Sequence, residues 1–150
     1  MYNDTITLFN RYVNREGDTW YPTIIRGVNL NIDRAAIVAK YGAQSADSVV
    51  LNIRYFLFSD GNKTVADKPY LPPKEWSELP NDELGGSITF AGGTLYDFFY
   101  VGEWNSTEPI SDREYPKGFY AYMNEEYDNV FAVSSVGLYT VIPHFEILGK

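Results

Sequence analysis

The 150-residue chain contains no cysteine, so disulfides, thiolate metal sites and thiol nucleophiles are all excluded, and an intracellular place of assembly is the simple reading. It has a single histidine, His144, between Pro143 and Phe145. A nucleophile–base pair would need that imidazole beside an activated Ser or Thr, with a third group to orient it, and no G-x-S-x-G elbow is present. No apolar run approaches the roughly 20 residues of a membrane span, and MYNDTITLFNRY lacks the basic and apolar regions of a leader. The chain reads as soluble and unprocessed. Basic residues are also short: 12 Lys and Arg stand against 20 Asp and Glu, a net charge of −8. Nonspecific nucleic-acid binding rests on cations displacing counterions from phosphates, so that function is disfavoured. An acidic lining would instead repel phosphates and let a duplex slide past, or the charge serves solubility alone.

Aromatic residues are plentiful, with 13 tyrosines and 9 phenylalanines, as suits a thin β core or a protein interface. A chain of this length buries roughly 70% of its unfolded surface in one core. Thr5 to Val13 alternates as a first strand, with Ile6 and Leu8 on one face, and a second runs from Thr19 to Val28. Pro22 places the early part of that strand at an edge or at a strand start. Asn29 to Asp47 is a long excursion, with a short helix or ordered loop expected over Arg34 to Tyr41 between a capping Asp33 and Gly42. A third strand covers Val49 to Phe58. After the Ser59–Asn62 turn, Lys63 to Ala66 returns beside it. Four prolines confine Asp67 to Leu84 to the surface; Pro73 opens a single helical turn, and Trp76 pins the loop. Ser87 to Ala91 and Thr94 to Val101 read as a hairpin across Gly92-Gly93. Glu103 to Lys117 is a loop, and Phe119, Tyr122, Met123 and Tyr127 have helical spacing. Strands Val130 to Val136 and Tyr139 to Leu148 close the chain around a turn at Gly137. The fold class is mainly β: a small β-barrel or sandwich with one or two short helices and a long inter-strand loop.

Chemistry-bearing motifs are scarce. Asn29, Asn31 and Asp33 alternate like the opening of a calcium loop, but Arg34 stands where the turn glycine belongs and Lys40 where the bidentate acid belongs. Asp112/Glu114 and Glu125/Glu126/Asp128 read as solvated faces, and the glycine pairs lack the lysine of a phosphate loop. No metal, cofactor or catalytic set is expected, so the chain works by binding.

Six stretches in this order resemble tailed-phage minor capsid or head–tail connector proteins related to the head-closure (stopper) proteins. They are TITLFNRY at 5–12, WYPTIIRGVNL at 20–30, AIVAKYGAQSADSVVL at 36–51, LPPKEW at 71–76, FFYVG at 98–102 and HFEILGK at 144–150. The resemblance spans nearly the whole chain. It implies a single head-closure-like β domain over 1–150, with a helical loop insertion at 103–129 relative to shorter members. It also implies a homo-oligomeric ring, a hexamer or dodecamer, at the head–tail junction of the virion, assembled in the host cytoplasm. Such a ring closes the head after packaging and joins portal or adaptor proteins to tail-completion proteins, while DNA passes without specific binding. The long excursion would reach the channel or a neighbouring ring. That makes Asn31, Asp33, Arg34, Lys40 and Tyr41 the interface candidates, with Arg34 and Lys40 toward acidic partners, while Trp20, Pro22, Pro72, Pro73 and Trp76 are structural. The alternatives are a capsid decoration or minor shell protein, a carbohydrate-binding β domain using Trp76 and Trp104, and an enzyme built on His144.

Overall fold

The computed structural model describes residues 2–32 and 49–150. Ten strands are described: β1 (Asp4–Tyr12), β2 (Thr19–Ile32), β3 (Val49–Arg54), β4 (Phe56–Leu57), β5 (Lys63–Val65), β6 (Lys68–Pro69), β7 (Phe98–Val101), β8 (Ile110–Ser111), β9 (Val130–Tyr139) and β10 (His144–Gly149). The two α-helices among the described residues are α1 (Pro73–Ser77) and α2 (Phe119–Glu126). In the order β1-β7-β9-β10-β3-β2, with β2 paired back to β1, six strands close into a barrel, and β8 attaches to β2 as an extra strand. Strands β4, β5 and β6 form a small separate sheet.

The two longest strands turn the corners. Strand β2 pairs with β1 over Thr19–Val28 and with β3 over Asn29–Ile32. The register slips at Gly27, which lies opposite no β1 residue and holds φ +70. A bulge of this kind bends a strand and lets it pass from one sheet to the next, and only glycine takes a positive φ without strain. Strand β9 does the same on the other side, pairing with β7 at Val130–Ala132 and then with β10, with a slip at Ser134. There Ser134 Oγ donates to the Leu148 carbonyl at 2.9 Å.

Strand β1 is buried on both faces. Ile6 and Leu8 fill the barrel with Leu51, Ile53, Phe131, Phe145 and Ile147. Phe9 points outward into a second cluster, made with Trp20, Phe98, Phe119, Met123 and Val130. Helix α2 thus lies against the outer wall, and each such aromatic or aliphatic side chain contributes about 1.5–3 kcal/mol relative to exposure. One carboxylate orders that layer: Asp112 Oδ1 accepts the Trp20 indole N–H at 2.9 Å and the Phe119 backbone N–H at 2.7 Å.

The small-barrel reading of the sequence is the observed class, and α1 begins at Pro73 as expected. Trp76 is 2% exposed and donates to the Leu84 carbonyl at 3.1 Å, so it pins its loop. Pro22 sits opposite Phe9 of β1, in a stretch of β2 whose other edge carries no described strand, where its missing N–H costs nothing.

Other expectations are corrected. The Gly92-Gly93 hairpin does not form. Residues 89–91 are not strand, and β7 pairs with β1 and β9 instead. Gly92 is there for space: a Cβ would lie 2.7 Å from the Ser134 carbonyl oxygen. The turn placed at Gly137 falls at 140–143, because Gly137 is paired with Glu146 inside β9–β10. Strand β2 runs on to Ile32, so Asn29–Ile32 belong to the barrel. Strand β3 stops at Arg54, and Phe56–Leu57 leave it to join β5. The stretch read as a loop, Glu103 to Lys117, holds β8, and the helix ends at Glu126. The helix expected over Arg34 to Tyr41 lies outside the described residues.

Replacing Gly27 by valine forces a branched side chain into the left-handed region, at a cost of about 1–3 kcal/mol. Urea denaturation should show a lower midpoint with an unchanged slope.

Candidate functional site

Strand β7 is short. It pairs with Ile6–Phe9 of β1 and with Val130–Ala132 of β9, so the wall between the second halves of β1 and β9 lacks a strand. Asp97, the residue before β7, fills that gap with its side chain. It is 1% exposed. Its Oδ1 accepts the Arg11 backbone N–H at 2.8 Å, and its Oδ2 accepts the Ala91 backbone N–H at 2.8 Å and Asn10 Nδ2 at 2.9 Å. Its own backbone completes the clasp: Asp97 N–H donates to the Ala91 carbonyl and Val133 N–H to the Asp97 carbonyl. Asn10 Nδ2 also donates to the Thr89 carbonyl at 2.6 Å. One carboxylate therefore ties β1, the 89–91 segment and β9 together.

Burial pushes the Asp97 carboxyl up to about 7, although the N–H groups of Arg11, Ala91 and Asn10 and the charge of Arg11 pull it down. Two buried oxygens nearby, Asn10 Oδ1 and Thr89 Oγ1, have no hydrogen-bond partner among the described residues. The Arg11 guanidinium is held away from it, 2.7 Å from Asp18 and over the rings of Trp20 and Tyr96.

Outside the clasp lies a groove of about 950 Å³. Its floor is Trp76, Phe90 and Phe145, all buried, and its rim carries the exposed apolar side chains Val13, Leu95 and Leu138. Lys74 of α1 stands beside it. Beyond Val133, β9 pairs only with β10, so its stretch Val136–Tyr139 faces the groove side with an edge that carries no described strand.

The barrel's two ends differ. Ile32 and Val49 are register partners, as are Val49 and Gly149, so the chain leaves β2 and enters β3 side by side at one end. At the other end, where Arg54 pairs with His144, two turns protrude. Phe56 and Leu57 are 64% and 61% exposed, and Val141 and Ile142 are 96% and 69% exposed. Tyr55 links the two turns through its N–H to the Pro143 carbonyl and its hydroxyl to the Tyr139 carbonyl. Four apolar side chains this exposed are thus gathered at one end of the barrel.

Of the interface candidates, Asn31 is exposed on β2 opposite Val50, while Asp33, Arg34, Lys40 and Tyr41 lie outside the described residues. Trp20 and Trp76 are buried in packing roles, Pro72 precedes α1 and Pro73 starts it. Trp76 is buried and offers no face to a sugar ring, while Trp104 is half-buried and makes T-shaped contacts with Phe9, Phe119 and Tyr127. His144 stacks on Tyr139 at 4.8 Å, and its Nδ1 donates to the Ile142 carbonyl at 2.7 Å, clamping the turn. Among the described residues no group of three His, Cys, Asp or Glu is placed to hold a metal ion, and no helix is long and apolar enough to cross a membrane. Asp97 and the protruding turns were missed by sequence reasoning. The signal for Asp97 was an acid inside the apolar run LYDFFYV, since acids are almost never buried unless partnered.

A family model matches residues 1–150, and the chain belongs to that family, DUF6751, described as a family of unknown function. No curated protein and no solved structure matches.

Because the folded carboxyl of Asp97 titrates near 7 and the unfolded one near its usual 3.8, the folded state holds a proton between those values that the unfolded state has lost. The stability this group contributes is complete below pH about 4 and declines as pH rises through about 7. Thermal melts from pH 4 to 8 should show this slope in the wild type and a flatter one in Asp97→Asn. Asp97→Ala leaves three buried N–H donors without an acceptor and should cost about 3 kcal/mol or more at any pH in that range.

Proposed function

We propose that this chain of the DUF6751 family is a structural protein of a tailed-phage head–tail connector, a neck ring that closes the head after DNA packaging and joins the tail. The observation that carries the reading is the two-ended barrel. One end is where neighbouring Ile32 and Val49 leave and enter the wall, and the opposite end presents the apolar turns around Leu57 and Val141. A ring held between two other assemblies needs a distinct surface at each end, and the exposed apolar side chains around Leu57 and Val141 suit one of them. The portal or adaptor takes one end and a tail-completion protein the other. The ordered motifs that resemble head-closure proteins run through the same strands, β1, β2, β7 and β10. The net charge of −8 suits a passage that DNA crosses without sticking. The ring is a hexamer or dodecamer of this chain, at the head–tail junction of the virion, and its work is binding.

Electron microscopy of particles from a phage lacking this gene, with complementation from a plasmid, tests the reading. It predicts tailless heads that have packaged and lost DNA beside free, complete tails. Full heads with tails attached would overturn it and leave a decoration or glycan-binding role. A double variant, Val141→Asp with Ile142→Asp, changes only exposed residues and should leave the melting curve of the purified chain within about 0.5 kcal/mol of wild type. In complementation it should weaken the end contact about a hundredfold and give the same tailless heads.

A further inference from the structure

A second cavity, of about 620 Å³, lies where α2 meets β9. Clefts that take small ligands run to roughly 300–1,000 Å³. Three segments line it. The 3-10 turn Gly93–Leu95 brings Gly93 and Thr94, with Tyr96 just after it; α2 brings Tyr120 and Asn124, four residues apart and so on one helix face; β9 brings Ala132, Val133 and Ser134. Among the described residues Lys150 is the only charged group in the lining. Tyr96 and Tyr120 make a corner, with ring centroids 5.1 Å apart and planes crossing at 72°. Neither ring is loose: the Arg11 guanidinium lies over Tyr96 at 5.3 Å, and Phe98 packs on Tyr120 at 5.0 Å. The two phenol hydroxyls, the Thr94 hydroxyl and the Asn124 amide make no hydrogen bond to a described residue. Both phenol oxygens nonetheless reach solvent, and Thr94 and Asn124 are exposed. Burial raises the Tyr96 phenol, and burial with the neighbouring Tyr96 pushes that of Tyr120 up to about 12, so both stay neutral O–H groups.

We propose that this corner binds the ring of a neutral saccharide, with C–H groups of the sugar against Tyr96 and Tyr120 and its hydroxyls bonded by the two phenols, Thr94 and Asn124. The lining disfavours the other ligand classes. A cation finds no carboxylate there. A flat aromatic ligand gains most between parallel plates, and rings crossing at 72° cannot sandwich one. A wholly apolar ligand would take water from four polar side chains and return no hydrogen bond. A sugar hydroxyl is donor and acceptor at once. So are a tyrosine or threonine hydroxyl and a primary amide, and each can therefore be matched. A puckered ring with C–H groups on its faces and hydroxyls at its edge fits two crossed aromatic rings with a polar rim. Tyrosine beside glycine, serine and asparagine is also the make-up of adaptable binding surfaces, where stiff amphipathic rings give contact area at low entropic cost and short polar groups supply hydrogen bonds. Rings already held by Arg11 and Phe98 lower the cost of ordering the site further. The inference does not rest on the neck reading.

Amide NMR of the purified full chain tests it, with methyl glucoside, methyl galactoside, methyl mannoside and N-acetylglucosamine each titrated to about 50 mM. At least one of these sugars should shift the amides of Thr94, Tyr96, Tyr120 and Asn124, and the shifts should saturate. Tyr120→Phe keeps the ring and removes only the hydroxyl, while Asn124→Ala acts at an exposed helix position that alanine suits. Each should weaken binding of that sugar about tenfold and melt within about 2 °C of the wild type. The site is overturned if none of the four sugars moves those amides by the end of its titration, or if the shifts persist undiminished in both variants. A response to inorganic phosphate alone, removed by Lys150→Ala, would also overturn it and leave an anion contact in its place. Those failures would not touch the neck reading, which is judged on heads and tails. Normal particles without the gene would remove the neck and leave a measured sugar affinity standing.

Discussion

The carboxylate of Asp97 does the work of a missing length of strand. Where β7 ends, the barrel wall between β1 and β9 would otherwise expose backbone N–H groups with no partner, and each buried one left so costs about 1–3 kcal/mol. Asp97 takes the Arg11 and Ala91 N–H groups and the Asn10 amide in one side chain, while its backbone bonds Ala91 and Val133. The wall is closed electrostatically, by a group whose burial opposes its own ionisation. The same substitution of side chain for strand leaves the groove outside it. A full-length β7 would have covered both β1 and β9 and removed the free edge.

The other constraints follow from closing six strands of unequal length. Strands β2 and β9 are the longest and must each serve two neighbouring walls, which the slips at Gly27 and Ser134 allow. Their reach sets where things protrude. Strand β2 carries the chain to Ile32 at one end, while the β9–β10 turn and the β3–β4 departure put Val141, Ile142, Phe56 and Leu57 at the other. An α2 layer held by Asp112 covers the wall outside Phe9 and Phe98, which leaves the groove wall and the β4 sheet as the apolar sides still open.

Much of this was legible in the chain. The alternation in TITLF, the β-branched VVLNI, the proline after Pro72 and the spacing of Phe119 and Met123 each act locally, so local propensity finds them. The failures share a cause. Gly92-Gly93 looks like a hairpin turn because glycine pairs favour mirror-image turns, yet Gly92 is selected by the approach of the Ser134 backbone, far away in sequence. Gly137 was read as a turn for the same reason and is a strand residue. Asp97 in an apolar run carries no local sign of which N–H groups it will meet, since Asn10, Arg11 and Ala91 come from separate segments. Phe56, Leu57, Val141 and Ile142 read as parts of continuous strands, because apolarity alone cannot separate a buried strand from an exposed end.

Amide hydrogen exchange on the monomeric chain addresses the wall directly. If Asp97 replaces a strand, the Arg11 and Ala91 amides exchange only with global unfolding, as slowly as those of β1 and β10, while alternate amides of Val136–Tyr139 on the groove side exchange far faster than their neighbours. Fast exchange at Arg11 and Ala91, at the rate of the Ser59–Asn62 turn, would contradict the account, because the gap between β1 and β9 would then be open to water and not held by the carboxylate.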